Sequence, residues 1–286
     1  SGDPCTPGAL RGRENMGSKG EALGRSRAKP WWGAGQRPAK LAFVLAVLLS
    51  PPARAAGVVS LNLCADQFLL LLAPEQALAV TQLAREPSMS VVAGIAPHVP
   101  AVRADAEAVL RLRPDLVLAG RFGAQTTLAL LERRGLRVER IDMPQDFPAI
   151  RAETRRLAAL LGVPARGEAL LADMETRLAV VPPERRPRAV MLQARGYVAA
   201  PGSLPDSVLR AAGLEDVGAG GQPGLEALVA HPPELLVTAT APAFPSMATD
   251  VLRHPALAAI PRREVAPALL LCGGPWTARA VQALAR

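Results

Sequence analysis

Short apolar runs that alternate with helix-compatible segments are the feature that most restricts the fold of this 286-residue chain. The runs have the length and buried character of strands in a parallel sheet. They lie at residues 58–62, 77–81, 115–119, 137–141, 189–193, 235–238 and 265–271. Helical patterns lie between them at residues 65–73, 105–113, 126–134, 204–212, 225–230 and 247–252, and a last one starts at residue 277. Because strands that alternate with helices pair in parallel through crossover helices, the chain is predicted to be an α/β protein.

An internal repeat divides the α/β region into two lobes. Residues 107–118 and 226–237 share a glutamate, an alanine, two apolar residues, a proline, an acid and three apolar residues at matching offsets. We therefore expect two related, Rossmann-like parallel-sheet lobes. The predicted ligand cleft lies between them, outside the carboxyl ends of the strands.

The segment between the repeats is helical and contains no strand pattern. Residues 147–161 and 166–181 have helical periodicity, and Gly162, Val163 and Pro164 interrupt them. The predicted organisation is a leader, an N-terminal lobe, a helical connector and a C-terminal lobe. These segments are residues 1–55, 56–146, 147–183 and 184–286.

Most of the positive charge lies before the first predicted strand. The chain has 33 Lys and Arg against 25 Asp and Glu, a net charge of +8. Residues 1–55 supply +6 of this charge and residues 56–286 supply only +2. The α/β region is therefore nearly balanced, and we expect no nucleic-acid partner.

Residues 1–55 have the pattern of an export signal. Arg37 and Lys40 precede an apolar run at residues 41–49, and Ala53-Arg54-Ala55 has the small-x-small pattern of a signal-peptidase site. Nine apolar residues are too few to cross a hydrocarbon core of about 30 Å. We expect export to the periplasm with cleavage near Ala55, and a mature protein that is soluble and monomeric.

Cysteine content and catalytic motifs exclude several classes. Three cysteines are too few for a disulfide scaffold or a zinc ribbon. The sequence has no Gly-x-Ser-x-Gly, His-Glu-x-x-His, Gly-Lys-Ser/Thr or Cys-x-x-Cys motif. We therefore predict a binding protein and no enzyme. A secreted α/β enzyme with an atypical site and an interaction protein without a ligand are the alternatives.

Three strings in the α/β region carry a resemblance to known proteins. They are Val-Val-Ser-Leu-Asn-Leu-Cys-Ala-Asp-Gln at 58–67, Leu-Arg-Pro-Asp-Leu-Val-Leu-Ala-Gly at 112–120 and Arg-Ala-Val-Met-Leu-Gln at 188–193. They resemble the periplasmic substrate-binding proteins of ABC importers for vitamin B12, haem and ferric siderophores. The resemblance implies a long connector helix with limited hinge motion. It also implies a receptor that captures a metal chelate and delivers it to an ABC permease with its ATPase. A corrinoid is the first choice of ligand, haem or a ferric siderophore comes next, and no cofactor is required.

The same resemblance gives the repeated glutamates a role. In vitamin B12 receptors one glutamate on each lobe docks into arginine pockets of the permease, and Glu107 and Glu226 stand at the matching points. Two separated carboxylates that each pair with arginine would fix the receptor's orientation. Alternatively, each is a first-turn glutamate favoured by the helix dipole.

The loops expected at the cleft contain aromatic and cationic side chains that suit a flat chelate. These loops are residues 62–66, 83–90, 120–125, 193–203, 240–247 and 272–277. The candidate ligand-binding residues are Asn62, Cys64, Arg85, Phe122, Arg195, Tyr197, Phe244 and Trp276. The aromatic residues have a structural alternative as lobe-core residues, and the arginines have one as solvated surface groups.

Two cysteines and one histidine are candidate metal ligands. Cys64 and Cys272 lie in loops expected at the cleft and could form an inter-lobe disulfide, stay free or bind a metal. His98 precedes the Glu107 helix and is a candidate axial ligand, with an exposed or structural histidine as the alternative. His231 and His254 each precede a proline at a helix end and are expected to be capping residues.

Overall fold

The structure, a computed structural model, describes residues 57–179, 183–240 and 247–285. The predicted signal peptide and Phe244 lie outside the described residues. Within the part of the chain that the structure describes, no helix is long and apolar enough to span a membrane.

The first lobe contains a parallel sheet of four strands in the order β2-β1-β3-β4. The strands are β1 Val58–Ser60, β2 Ala77–Ala79, β3 Leu116–Gly120 and β4 Val138–Ile141. Every residue of β1 and β3 is buried, because helices cover both faces of a parallel sheet. This double burial explains why these strands appear in the sequence as continuous apolar runs.

The second lobe repeats this topology in the order β6-β5-β7-β8, again with parallel pairing throughout. Its strands are β5 Arg188–Leu192, β6 Glu215–Asp216, β7 Leu235–Ala239 and β8 Arg262–Val265. The repeated sequence motif forms a short helix followed by the third strand in both lobes. The predicted α/β fold with two related lobes is therefore confirmed.

Nine α-helices lie in the described residues. They are α1 Leu63–Leu72, α2 Ala106–Leu112, α3 Gln125–Arg133, α4 Phe147–Leu160, α5 Pro164–Leu178, α6 Leu204–Ala211, α7 Leu225–Ala230, α8 Met247–Asp250 and α9 Ala278–Leu284. Local sequence accounts for several of the helix starts. The side chains of Asn62, Asp105, Asp146 and Ser203 each accept a hydrogen bond from a backbone N–H in the first turn.

The connector consists of two helices, α4 and α5, that pack antiparallel. Gly162, with φ +72°, ends the first helix in the left-handed region, and Pro164 begins the second. Arg151 pairs with Glu175 at 2.6 Å across the hairpin. The break at residues 162–164 follows the sequence prediction, whereas the resemblance implied a single long helix.

Helix α4 contributes to the hydrophobic cores of both lobes. Phe147 and Ile150, near its start, belong to a core cluster of the second lobe. Leu157 and Ala158, near its end, belong to the main core of the first lobe. One rigid helix therefore fixes the two cores relative to each other.

Two strands of the second lobe differ from the sequence prediction: β8 lies earlier in the chain than predicted, and β6 was not predicted. The predicted strand at 265–271 begins at Val265, where β8 ends, and Pro267 then starts a 3₁₀ turn. Proline has no N–H to donate to the sheet, so the apolar run that follows it does not extend β8. The charged residues of β8 obscured it in the sequence, and they are tolerated because β8 is an edge strand. The two-residue strand β6 is too short to produce a pattern.

Candidate ligand-binding site

A cavity of about 490 Å³ lies between the two lobes. Its walls come from loops that follow the carboxyl ends of β4, β5, β7 and β8, together with residues of α6 and α8. This is the position where open α/β sheets bind ligands. The lining residues are Met143, Pro144, Gln145, Gln193, Ala194, Leu204, Pro205, Ala239, Thr240, Thr249, Pro267, Leu270, Leu271 and Gly273.

The cavity walls are mostly apolar and lack charge. The described lining residues include no Asp, Glu, Lys or Arg, and their polar side chains are amides and hydroxyls. Met143 and Leu271 line the cavity while keeping 52% and 41% of their surface exposed, respectively. Large exposed apolar side chains at a concave site indicate a surface that a ligand covers.

The first-lobe wall, residues 143–145, is held by hydrogen bonds at both ends. The buried carboxylate of Glu153 accepts from Asp142 N at 3.1 Å, and Arg156 donates to the same carboxylate at 2.7 Å. The Gln145 carbonyl accepts from Ser207 Oγ of the second lobe at 3.2 Å. These contacts position the loop across the lobe boundary.

The cavity walls of the two lobes touch at Gly273. A Cβ atom built on Gly273 would lie 2.4 Å from the carbonyl oxygen of Pro144. Only glycine fits this close approach of two backbones. Leu271 and Gly273 therefore form a wall that lies directly against the first-lobe wall.

Cys64 and Cys272 form a disulfide between the lobes. Their Cα atoms are 5.4 Å apart, and 208 positions separate them in the chain. Cys64 lies in the first turn of α1, and Cys272 lies in the loop between β8 and α9. Of the three alternatives for these cysteines, the structure shows the inter-lobe disulfide, and neither cysteine lines the cavity.

Trp276 lies in the core of the first lobe. Its side chain is 3% exposed and packs against Phe68, with ring centroids 5.1 Å apart. This is the lobe-core position that stands as the alternative to the ligand site. The tryptophan belongs by sequence to the second lobe, but its ring packs into the core of the first lobe with Phe68, Leu157 and Leu161.

Asn62 and Arg85 have structural contacts outside the cavity lining. The Asn62 side chain caps α1 by accepting from Cys64 N at 2.9 Å. A guanidinium nitrogen of Arg85 donates to the Val99 carbonyl at 2.8 Å. Both contacts hold loops at the carboxyl edge of the first sheet.

The other described candidates also lie outside the cavity lining. Phe122 is 81% exposed just after β3, and Tyr197 is half exposed in the loop after β5. Arg195 lines a separate pocket of about 290 Å³ with Gln222 and Leu225.

The candidate metal ligand His98 is exposed in the 3₁₀ turn Ala96–His98. Among the described residues, no group of three or more His, Cys, Asp or Glu could hold a metal ion. His254 caps a 3₁₀ turn as expected, because its Nδ1 accepts from Ala256 N at 3.2 Å. His231 follows α7, and its backbone N–H donates to the Ala227 carbonyl.

Glu107 and Glu226 occupy equivalent positions in the two lobes. Each is exposed in the first turn of the helix that leads into the third strand of its sheet, α2 before β3 and α7 before β7. Such a helix runs antiparallel to the strands, so its start lies at the carboxyl edge of the sheet. Both glutamates are therefore on the cavity side of their lobes.

A buried carboxyl group supports the first lobe behind the candidate site. Asp66 of α1 accepts from Thr81 N at 3.1 Å and from the Thr81 hydroxyl. Burial raises the pKa of Asp66 to about 6, and the hydrogen bonds from Ser60 and Thr81 oppose this increase. Near the cavity, the Arg121 guanidinium hydrogen-bonds to Asp142 and lowers the pKa of that carboxyl group.

Two parts of the cavity lining, in residues 143–145 and 267–271, were not predicted from the sequence. The expected cleft loops did include Gln193, Thr240 and Gly273, which line it. Met143 follows the end of β4 by two residues, and this carboxyl-end position was the available signal. The wall at 267–271 was hidden because that segment was predicted as a strand.

Comparisons with known proteins agree with this architecture. The family model for periplasmic binding proteins matches residues 58–261. A cobalamin-binding protein of Halobacterium salinarum is 28% identical over 171 residues. That match covers 55% of this chain and 45% of the relative, so the chain spans less than half the length of the curated relative it matches.

Solved structures with the same fold include several periplasmic haem-binding proteins. The protein from Pseudomonas aeruginosa is 25% identical with a TM-score of 0.64, covering 80% of this chain and 91% of that one. The protein from Vibrio cholerae is 18% identical with a TM-score of 0.67, covering 80% and 96%. The protein from Roseiflexus sp. RS-1 is 23% identical with a TM-score of 0.63, covering 81% and 98%.

The chain belongs to the periplasmic binding protein family. Its two parallel four-stranded sheets and helical connector match the class III binding-protein fold of the haem-binding relatives. Members of this family bind ligands for transport and are not enzymes.

Proposed function

We propose that this protein is a periplasmic receptor that captures a metal chelate, a corrinoid in the first place, and delivers it to an ABC permease. The observation that carries the proposal is the uncharged, largely apolar cavity between the lobes, at the carboxyl ends of both sheets. The relatives named as cobalamin-binding and haem-binding support a ligand of this chemical class. The permease's ATPase supplies the energy, and the protein performs no chemistry on the ligand.

Large exposed side chains around the cavity support a flat, partly apolar ligand. Met143 and Leu271 line it, and Met247 is near the lining residue Thr249 in sequence. Phe122 and Tyr197 follow β3 and β5 at the same edge of their sheets. Contact with a macrocycle would cover this apolar surface, which in water has no partner.

The chemistry of the lining favours a corrinoid over haem or a ferric siderophore. Proteins hold haem iron through histidine, cysteine, methionine or tyrosine, and Met143 is the single described lining residue of these types. A corrinoid needs no protein ligand, because its four ring nitrogens, its own nucleotide base and its upper ligand already fill the coordination sphere of cobalt. The described lining also offers no cation to haem propionates or to the acid groups of a siderophore.

Glu107 and Glu226 are the proposed docking residues for the permease. Their equivalent, exposed positions at the carboxyl edges of the two sheets would place one carboxylate on each side of the cavity. Glu107 contacts Arg111 at 3.3 Å, and both side chains are mostly solvent-exposed. Such a pair is weak, so the carboxylate can exchange this partner for an arginine of the permease.

The proposal is tested by titrating the purified protein with cyanocobalamin, haemin and a ferric siderophore while heat and the visible spectrum are recorded. We expect cyanocobalamin to bind with a dissociation constant of about 1 µM or lower, which corresponds to about −8 kcal/mol. If haemin binds more tightly than cyanocobalamin, and its visible spectrum shows a thioether ligand that M143A loses, the ligand is haem. Failure of all three chelates to bind would contradict the receptor function.

A further inference from the structure

We propose that the Cys64–Cys272 disulfide is a positioning element of the ligand cavity. In this proposal, reduction of the bond weakens ligand binding while the protein stays folded. The inference rests on the proposed function of the cavity as the ligand site. It concerns the segment 271–276, called here the clasp, which lies between β8 and α9 in the chain.

The clasp is attached to the first lobe at two points on one helix. Cys272 is bonded to Cys64, and the Trp276 ring packs against Phe68 with centroids 5.1 Å apart. Cys64 and Phe68 are four positions apart on α1 and therefore share one face of that helix. Both attachments hold the clasp against the same surface of the first lobe.

The residues on either side of the disulfide form part of the cavity wall. Leu271 precedes Cys272 and Gly273 follows it, and both line the cavity. Gly273 also touches the opposite wall at Pro144. A displacement of the clasp away from α1 would therefore change the separation of the two walls directly.

After the clasp, the chain returns to the second lobe. Ala278, Ala280, Val281 and Leu284 of α9 are buried in the core that contains β5 and β7 residues. The clasp thus connects a fixed point in the second lobe to two fixed points in the first. Of these attachments, the Cys64–Cys272 disulfide is covalent, so thermal motion does not break it.

Loss of the bond would leave Trp276 as the remaining attachment of the clasp to α1. The wall at Leu271 and Gly273 would then sample more conformations. Ligand binding would have to order this wall, and the lost entropy would reduce the affinity. We expect a roughly tenfold loss of affinity, which is the size of effect that loss of preorganisation in a short loop produces. Cys272 is buried and Cys64 is partly exposed, so a reductant is expected to attack at the Cys64 sulfur.

The experiment compares cyanocobalamin binding by the oxidised protein, by the protein reduced with dithiothreitol and desalted, and by C64S/C272S. Calorimetry should give about tenfold weaker binding for the reduced and variant forms. Reoxidation of the reduced protein should restore the original affinity. Urea denaturation and near-UV circular dichroism verify that each form is folded at the assay temperature.

A second measurement does not depend on any ligand. Hydrogen exchange of the peptide that contains Leu270 to Gly273 should be faster in the reduced protein, whereas exchange in β5 and β7 should be unchanged. If C64S/C272S does not fold, C64A/C272A and the reduced wild-type protein replace it in both measurements.

The outcomes separate the two proposals. Equal affinity and equal exchange in the oxidised and the fully reduced protein, with both thiols counted as free, would overturn the positioning role alone. Failure of the oxidised protein to bind any chelate would overturn the proposed function and this inference with it. Weaker binding that reoxidation does not restore would indicate damage and overturn the positioning role.

Discussion

The two lobes have the same strand order, but they contribute differently to the site. Each has a four-stranded parallel sheet in which the first strand lies between the second and the third. Three of the cavity-lining residues, Met143 to Gln145, precede the connector, and all the others follow it. The first lobe instead contains the buried Asp66 and the anchoring positions for Cys272 and Trp276.

This difference shows which features the repeat preserves. The helix–strand units and their first-turn glutamates recur in both lobes, because each sheet needs the same crossover helices to cover it. The loops at the carboxyl ends of the strands diverge, because their sequences are not restricted by the cores. The second lobe thus provides most of the cavity lining, and the first lobe provides the support to which it is attached.

The largest effect should come from breaking the feature that the lobes share. E107R/E226R should reduce uptake of the ligand to background, because each arginine would repel the arginine pocket proposed on the permease. Uptake is measured in cells that carry the permease, and ligand affinity is measured on the purified protein.

E215R is the matched control, since Glu215 is also exposed but lies on the edge strand β6. It should leave both uptake and affinity unchanged. A loss of ligand affinity in E107R/E226R would contradict the docking role and move these glutamates to the ligand site.

The next effect concerns Asp66, which belongs to the first lobe alone. Because its pKa is raised from 3.8 to about 6, the folded state binds this proton more tightly than the unfolded state does. Its contribution to stability is therefore fully present below pH 3.8 and is lost as the pH rises towards 6, a change of about 3 kcal/mol. D66N should remove this loss between pH 4 and pH 7 in urea denaturation.

A second variant, T81V, tests the effect of the Thr81 hydroxyl on the pKa of Asp66. T81V removes a hydroxyl donor that favours the charged form of Asp66, so it should raise the pKa further and make the loss of stability larger. An identical pH dependence in the wild-type protein and D66N would show that Asp66 does not titrate in this range.

A smaller effect should follow from a charge in the cavity wall of the second lobe. L271E places a carboxylate on the apolar lining and should weaken cyanocobalamin binding about tenfold, which is about 1.4 kcal/mol. V229E is the control, because Val229 is also about half exposed but does not line the cavity. If the two variants bind alike, the ligand does not contact Leu271.

The smallest effects should distinguish how the connector is attached to each lobe. Arg166 of α5 donates to the Leu72 carbonyl and Glu75 in the first lobe, at 2.9 and 2.7 Å. Arg177 donates to Gln282 in the second lobe at 3.1 Å. Both arginines are partly exposed, at 51% and 31%, and Arg177 also pairs with Asp173. Contacts of this kind are weak, so R166A should cost about 1 kcal/mol and R177A about 0.5 kcal/mol in urea denaturation. If R177A lowers the free energy of unfolding more than R166A does, the connector is attached more strongly to the second lobe than to the first.

Much of the fold was predictable because its determinants are local in sequence. The buried runs at β1 and β3 identify strands covered on both faces, and Asn62, Asp105 and Asp146 mark the starts of helices. The repeat around Glu107 and Glu226 predicted two lobes of the same topology. The position of the site between the carboxyl ends of the sheets follows from the α/β architecture alone.

Local patterns left the partner of Cys64 and the position of Trp276 open among alternatives, and they did not single out the wall at Met143. Each depends on a contact between residues far apart in the chain, such as the 208 positions between the two cysteines. In sequence, Trp276 is an aromatic residue in a loop near the cleft, and only the packing of the clasp against α1 places it in a core. The sequence by itself therefore determined the α/β class, the two lobes and the edge at which the site lies. The tertiary structure decided which side chains line the cavity, because long-range packing, which leaves no periodic signal, places them.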